Sequence, residues 1–329
     1  MALLSNTAPT TVKVYHGYGH KDNLILYGHV LSGKPVIRKK YSNNVIPNII
    51  HLVRLFFVKP LPHAHVMLQW QNQQLYSITA SDGFFKFEWQ SDNSIAAGWH
   101  TVIVNLLNPE GIIMATGEGK VFVPHSTQYA FISDIDDTIL VSYAATTYKR
   151  LKTLFTKNPL TRKIFDDVVN HYHLLSLAHT EPALPNPFFY VSSSEWNLYD
   201  DLNDFFKHNK LPAGVFLLNE IKRWYQFLKS DKSKHYGKLM RVARILETFS
   251  KQRFILLGDN SQSDPEIYVS IANKYPDKIV AIYIRNIVLK NEQFTNEKLA
   301  SVQNKKIHTC HFINTDEAIS YSKSIGLIN

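Results

Sequence analysis

The period of hydrophobic positions along this chain changes near residue 125. Before that point, strand-length segments alternate. In Phe85-Lys86-Phe87-Glu88-Trp89 the rings fall on one side and the charges on the other, as a half-buried strand requires. Leu24–Val30, Ala64–Trp70, Gly83–Trp89, His100–Leu107 and Lys120–Val123 are strand candidates, with turns at Ser81-Asp82-Gly83 and Asn108-Pro109-Glu110-Gly111. Short strands with regular turns predict a small β-sandwich over residues 1–125. Residues 45–58 interrupt it with a helical pattern, in which Pro47 suits the first turn and Pro60 marks the stop. Val45, Ile49, Leu52, Val53 and Phe56 then share one face. The helix is too short to span a bilayer. It either packs against the sandwich or lies in a membrane interface.

After residue 125 the apolar runs are short and continuous, as in buried parallel strands: Tyr129–Ile132, Phe188–Val191 and Phe254–Leu257. Helical patterns separate them, at Asp166–Ala178, at Asn197–Lys207 and through Val242, Ile245, Leu246 and Phe249. Strands alternating with helices predict a three-layer, Rossmann-like α/β domain over residues 126–329, built on a parallel sheet. About fifty residues separate the first two strand-end motifs, more than a crossover needs, which predicts a small helical insert over the site.

The ends of these strands carry the chemistry. The first runs into Ser133-Asp134-Ile135-Asp136-Asp137-Thr138, where open α/β sheets place their ligands. Carboxylates this close repel unless a cation lies among them, and Mg²⁺ suits such hard oxygen ligands. An Asp held at a metal can attack phosphorus, and a second Asp two residues on can protonate the leaving oxygen and then activate water. The second strand ends in Ser192-Ser193-Ser194, hydroxyls that can cradle a phosphoryl oxygen ahead of a helix. The third runs into Gly258-Asp259, with Asp264 five residues later adding another oxygen ligand. Acid, hydroxyl and acid at three strand ends point to one phosphoryl-transfer site.

In order and spacing these motifs resemble the haloacid dehalogenase superfamily. Within it, Ser-Asp-Ile-Asp-Asp-Thr, Tyr190-Val-Ser-x-Ser-x-Trp-x-Leu-Tyr199 and Gly258-Asp-x-x-x-x-Asp-Pro-Glu-Ile-Tyr268, together with Ile282-Tyr283-Ile284-Arg285-Asn286, resemble the actin-patch-type phosphatidate phosphatase catalytic domain. The resemblance covers roughly residues 125–290 and implies Mg²⁺-dependent hydrolysis of phosphatidate to diacylglycerol and phosphate. By position it gives Asp134 as nucleophile and metal ligand, and Asp136 as general acid/base and, through its backbone carbonyl, a metal contact. Asp259 and Asp264 become further metal ligands, and Ser192 the phosphate-binding hydroxyl, with Ser193 or Ser194 able to reach the same oxygen. Lys238 fits the superfamily's charge-neutralising lysine, and Lys234 competes for the role. The chain departs from the family at Glu195, where proline is expected, and at Asn219-Glu220, where arginine-aspartate is common. In the first domain, Thr79–Phe85 and Ala97–His100 resemble prealbumin-type domains.

Composition adds the setting. The chain has 329 residues, 45% hydrophobic and 19% charged, which excludes a disordered chain and leaves room for two domains. A single cysteine, Cys310, excludes an intramolecular disulfide. The first ten residues lack the features of a signal peptide, so a cytoplasmic protein is expected. The net charge of +9 is unevenly spread. Residues 141–165 hold no acid but carry Lys149, Arg150, Lys152, Lys157, Arg162 and Lys163. A second basic stretch, Lys222, Arg223, Lys229, Lys232, Lys234, Lys238, Arg241 and Arg244, interleaves Trp224, Tyr225 and Phe227. Such stretches fit an anionic lipid substrate and peripheral contact with a membrane, or a solubilising surface around a phosphomonoester site. No nucleic-acid-binding module is recognisable, so nucleic acid is not an expected partner. His63 and His65 are read as exposed or structural rather than metal ligands. Two other functions stay open: a phosphatase for a soluble phosphomonoester, and a non-catalytic lipid- or protein-binding module.

Overall fold

A computed structural model describes residues 9–36, 41, 44–125, 129–141, 157–221, 234–303 and 306–329. The expected helical insert falls largely outside the described residues. So do Lys149, Arg150, Lys152, Lys222, Arg223, Lys229, Lys232, Trp224, Tyr225, Phe227 and the side chain of Lys234. The chain divides into two compact units. One is formed mainly by residues 1–39 and 53–123, the other by 40–52, 124–222 and 226–329.

The first unit contains β1 (Thr10–Val14), β2 (Gly17–His20), β3 (Asn23–Ser32), β4 (Lys59–Pro60), β5 (His65–Trp70), β6 (Gln73–Ile78), β7 (Phe84–Trp89), β8 (Gly98–Leu107) and β9 (Ile113–Val123). All nine hydrogen-bond in one sheet, ordered β1-β3-β2-β9-β8-β5-β6, with β4 and β7 on β3. Two separate sheets, as in a sandwich, are not seen among the described strands. The short β2 joins them, pairing antiparallel with β3 and parallel with β9 through Gly17↔Val121. Gly17 permits that approach, since a Cβ there would stand 2.3 Å from the Ile25 carbonyl oxygen. The inward residues of β1, β3, β5, β7, β8 and β9 form one apolar core. Within it Trp70 and Trp89 meet edge to face at 5.6 Å, although their strands are far apart along the sheet. The sheet therefore curves back on itself, and period-2 alternation supplies the enclosed face.

Helix α1 (Val45–Phe56) starts and stops close to where its prolines predict. Its buried face differs from the expected one. Asn48, Leu52, Leu55 and Phe56 are buried, whereas Val45, Ile49 and Val53 are exposed. A polar anchor accounts for this rotation: His51 Nε2 lies 3.2 Å from Asp201 Oδ1 and turns its own side of the helix inward.

The second unit runs β10 (Tyr129–Ser133), α2 (Val168–Ser176), β11 (Phe188–Glu195), α3 (Tyr199–His208), β12 (Gly214–Asn219), α4 (Lys234–Thr248) and β13 (Arg253–Asp259). It continues through α5 (Asp264–Lys274), β14 (Ile279–Arg285), α6 (Glu292–Gln303), β15 (His308–Phe312) and α7 (Thr315–Ser324). The six strands pair in parallel in the order β12-β11-β10-β13-β14-β15, and each crossover contains a helix. The chain builds outward from β10 through β11 to β12, then returns to lay β13 on the other side of β10. The carboxyl end of β10 is thus the topological switch point, where such sheets open a crevice. Among the described residues no helix is long and apolar enough to cross a membrane.

Candidate active site

Two strand ends and one helix start deliver acids to that crevice. β10 ends at Ser133, and the next residue, Asp134, is fixed by its own N–H donating to Leu257 O of β13 (2.8 Å). β13 ends at Asp259, and Asp264 opens α5, with Pro265 and Glu266 in the first turn as helix starts favour. Oxygens of Asp134, Asp259 and Asp264 all lie within 4.8 Å of one another, and all three residues are buried. Lys238 reaches them from the first half of α4. Its ammonium stands 2.6 Å from Asp134 Oδ1 and also bonds Asp264 Oδ1.

The electrostatics follow from burial. Burial pushes the Asp134 carboxyl well above the usual carboxylate range; Lys238 opposes this, and Asp264, Asp259 and Asp136 add to it. Asp259 is pushed up to about 7 by burial and then by Asp264, against the hydrogen bonds from Ser261. Burial alone would lower the Lys238 ammonium, but the carboxylates of Asp134 and Asp264 outweigh it and hold the group charged above its ordinary value. One ammonium does not balance three carboxylates, and Asp134 Oδ2 is buried with no hydrogen-bond partner. A divalent cation with oxygen ligands fits this set, by charge and by donor type.

Asp136 stands apart from the three. Its Oδ2 accepts from Ser192 Oγ (3.1 Å) and Ser194 Oγ (2.9 Å), and the Ser194 N–H donates to Ser192 Oγ (2.9 Å). Ser192 does not end its strand. β11 continues irregularly to Glu195, which pairs with Asn219 of β12 after a register shift. Strand alternation puts Ser192 and Ser194 on the face toward Asp136, while Ser193 between them is half-buried. The structure thus brings Asp134, Asp259, Asp264 and Lys238 together, and joins Asp136 to two of the three serines. His63 and His65 are exposed and outside this cluster.

Several residues that hold the site were not singled out from sequence. Arg285, at the end of β14, is stacked between Phe165 and Phe312 and donates to Thr138 O (3.3 Å) and Thr315 Oγ1 (3.1 Å). Thr138 in turn donates to Asp259 Oδ2 (3.2 Å). Tyr172 of α2 hydrogen-bonds Ser133 Oγ (2.7 Å), and the Asn260 amide clamps the turn after β14 through Ile287 N and Val288 N. An arginine closing the apolar run Ile282-Tyr283-Ile284 was the available signal for Arg285. Tyr172 gave none, being one ring among many on an apolar helix face.

Residues 129–286, which span Asp134, Asp136, Ser192, Ser194, Lys238, Asp259, Asp264 and Arg285, match the family described as the phosphatidate phosphatase APP1 catalytic domain. Phosphatidate phosphatase APP1 of Saccharomyces cerevisiae is 31% identical over 158 residues, 47% of this chain. This segment is similar in sequence to the APP1-type catalytic domain. An uncharacterized Schizosaccharomyces pombe protein is 22% identical over 225 residues, 63% of this chain. The chain spans only 25% and 36% of the lengths of these two relatives. Among solved structures, a carbohydrate acetylesterase from Xanthomonas citri aligns with 94% of this chain and 69% of its own, at 8% identity and a TM-score of 0.32. That likeness is too low to bear on fold or function. The APP1-type match covers the parallel sheet from β10 to β14 and leaves the nine-stranded unit unmatched.

Proposed function

We propose that residues 129–286 hydrolyse phosphatidate to diacylglycerol and phosphate, using Mg²⁺ and an aspartyl-phosphate intermediate, on a three-layer haloacid dehalogenase-like fold. The observation that carries this reading is the buried cluster of Asp134, Asp259, Asp264 and Lys238 at the switch point, with Asp136 two residues from the first acid. Asp134, Asp259, Asp264 and the Asp136 carbonyl would hold the metal, which when bound would neutralise charge on the phosphoryl group. Asp134 attacks phosphorus as the bond to the glycerol oxygen breaks. Asp136 gives its proton to that leaving oxygen, then takes one from the water that cleaves the acyl phosphate, releasing phosphate and restoring Asp134. Lys238 holds the Asp134 carboxylate in line and shares the negative charge. Ser192 and Ser194 exchange their bonds to Asp136 for a phosphoryl oxygen when substrate arrives. The protein would work from the cytoplasm at a membrane surface.

The test is phosphate release from phosphatidate in mixed micelles, with and without Mg²⁺, beside a panel of soluble phosphomonoesters. Asp134→Asn should lower release by about 10⁴-fold or more while leaving the fold intact. Release only from soluble esters would keep the chemistry and reject the lipid. Undiminished release by Asp134→Asn would reject the assignment.

A further inference from the structure

Helix α1 buries one apolar face and exposes another. Ile46, Ile50 and Val53 are 71%, 47% and 38% exposed. At 100° per residue they fall within about 60° of one another, opposite the buried Asn48, Leu52 and Leu55. Ile49 flanks the stripe on one side, and the exposed Arg54 flanks it on the other. A surface helix ordinarily turns polar residues outward, so three branched aliphatics in a row on the outer face call for a partner.

Charge chooses among partners. Residues 23–81 contain no Asp or Glu but carry Lys34, Arg38, Lys39, Lys40, Arg54 and Lys59. A second copy of the chain docking through the same stripe would bring two such segments face to face, at a cost in like-charge repulsion. An anionic bilayer meets both needs, taking the aliphatics into its acyl boundary and Arg54 at its headgroups. Twelve residues are too few to span a bilayer, so the helix would lie in the interface plane.

We propose that α1 is a membrane-interfacial element. It inserts Ile46, Ile50 and Val53 into bilayers carrying anionic phospholipid, and so brings the phosphatase site to a lipid substrate. The His51–Asp201 pair connects this helix to α3, which begins four residues after Glu195, just past the serines that face Asp136. His51, with Ile46 and Ile50 on the same helix, and the phosphate-binding hydroxyls thus belong to one compact unit. The inference rests on the lipid-phosphatase reading for the choice of surface, and on the exposed stripe with Arg54 beside it for the insertion.

The experiment is co-sedimentation of the full chain with vesicles of phosphatidylcholine alone, phosphatidylcholine with phosphatidate, and phosphatidylcholine with phosphatidylserine. Wild type should bind both anionic vesicles, more weakly as salt rises, and leave the neutral ones. The combined variant Ile46→Gln, Ile50→Gln and Val53→Gln, which keeps helix-compatible side chains at exposed positions, should bind at least about tenfold more weakly. Hydrolysis of phosphatidate in vesicles should fall with it, and hydrolysis of a soluble phosphomonoester should not. Vesicle binding equal to wild type in the triple variant would overturn the proposal. So would a wild-type dimer, seen by analytical ultracentrifugation, that the same substitutions dissociate. Stripe-dependent binding by a protein that hydrolyses no phosphate would instead sink the enzymatic reading and leave the interfacial helix standing.

Discussion

In the nine-stranded unit the buried polar groups among the described residues are His29, Thr79, Ser91 and Asn105, and none is charged at neutral pH. Burial pushes His29 down to about 4, so it stays neutral beside the Tyr15 hydroxyl. The parallel sheet instead gathers Asp134, Asp136, Asp259, Asp264, Lys238 and Arg285 around the carboxyl ends of β10, β13 and β14. Both units build tight apolar cores, yet only one accepts the large desolvation cost of buried charge. The contrast teaches where to look for chemistry: a fold tolerates such groups where neighbours or a ligand compensate them.

Replacing Lys238 with Met should break this contrast most sharply. It leaves Asp134 and Asp264 facing each other without a cation, at a cost of about 3–5 kcal/mol in chelator-treated protein. Urea unfolding should show the loss, and adding Asp264→Asn should recover part of it. In the apolar unit, Leu68→Ala removes a fully buried side chain and should cost about 2–5 kcal/mol, with kcat for a soluble ester unchanged. A fall in kcat there would mean that the two regions are not separable. Gly258→Ala sharpens the comparison from the other side. Its Cβ would stand 2.5 Å from Asp264 Oδ2, displacing that carboxylate. We expect a drop in kcat of about 10²-fold, with a loss of about 1–3 kcal/mol because the Cβ also stands 2.7 Å from the buried Tyr268 ring.

The smallest effect concerns His171, buried in α2, whose Nε2 lies 3.1 Å from Ser322 Oγ. Burial, and then the nearby Arg285, hold it down to about 3. The unfolded chain takes up a proton below its ordinary value near 6.5, and the folded chain does not. Stability present above that pH is therefore lost as pH falls toward 3, by about 1.4 kcal/mol per pH unit. His171→Leu should flatten the slope of stability against pH between 6 and 4 by one proton's worth, measured by urea titration. An unchanged slope would show that the imidazole takes up its proton without unfolding.

Much of this was legible in the sequence for definite reasons. Tyr129–Ile132, Phe188–Val191 and Phe254–Leu257 are unbroken apolar runs, and each is a strand of the parallel sheet. The acids beyond them are grouped because parallel strands share one carboxyl end. Lys238 was readable because it sits on the helix leading into β13. The contacts made by the supports were not readable. Arg285, Tyr172 and Asn260 act across elements far apart in sequence, and their partners include backbone atoms that carry no residue identity. In the first unit, β3, β5, β7, β8 and β9 lie where alternation marks them, whereas β1, β2, β4 and β6 were missed. β2 contains two glycines and so has little side-chain pattern to read. The face of α1 differs from the one that apolarity marks, because its buried side carries Asn48 and His51 pairs with Asp201.

The pairing of β2 with β9 also sets a timetable. Gly17 and Val121 are hydrogen-bonded neighbours in space but lie at opposite ends of their unit in the chain. A growing polypeptide emerging amino end first can form the β2–β3 and β5–β6 hairpins early. It cannot close the sheet until β9 has been synthesised and released. Until then the inward faces of β1 and β3 wait for their covering strands, and long-range closure of this kind is slow. The nine-stranded unit thus completes late, just as the chain reaches the first acid of the site.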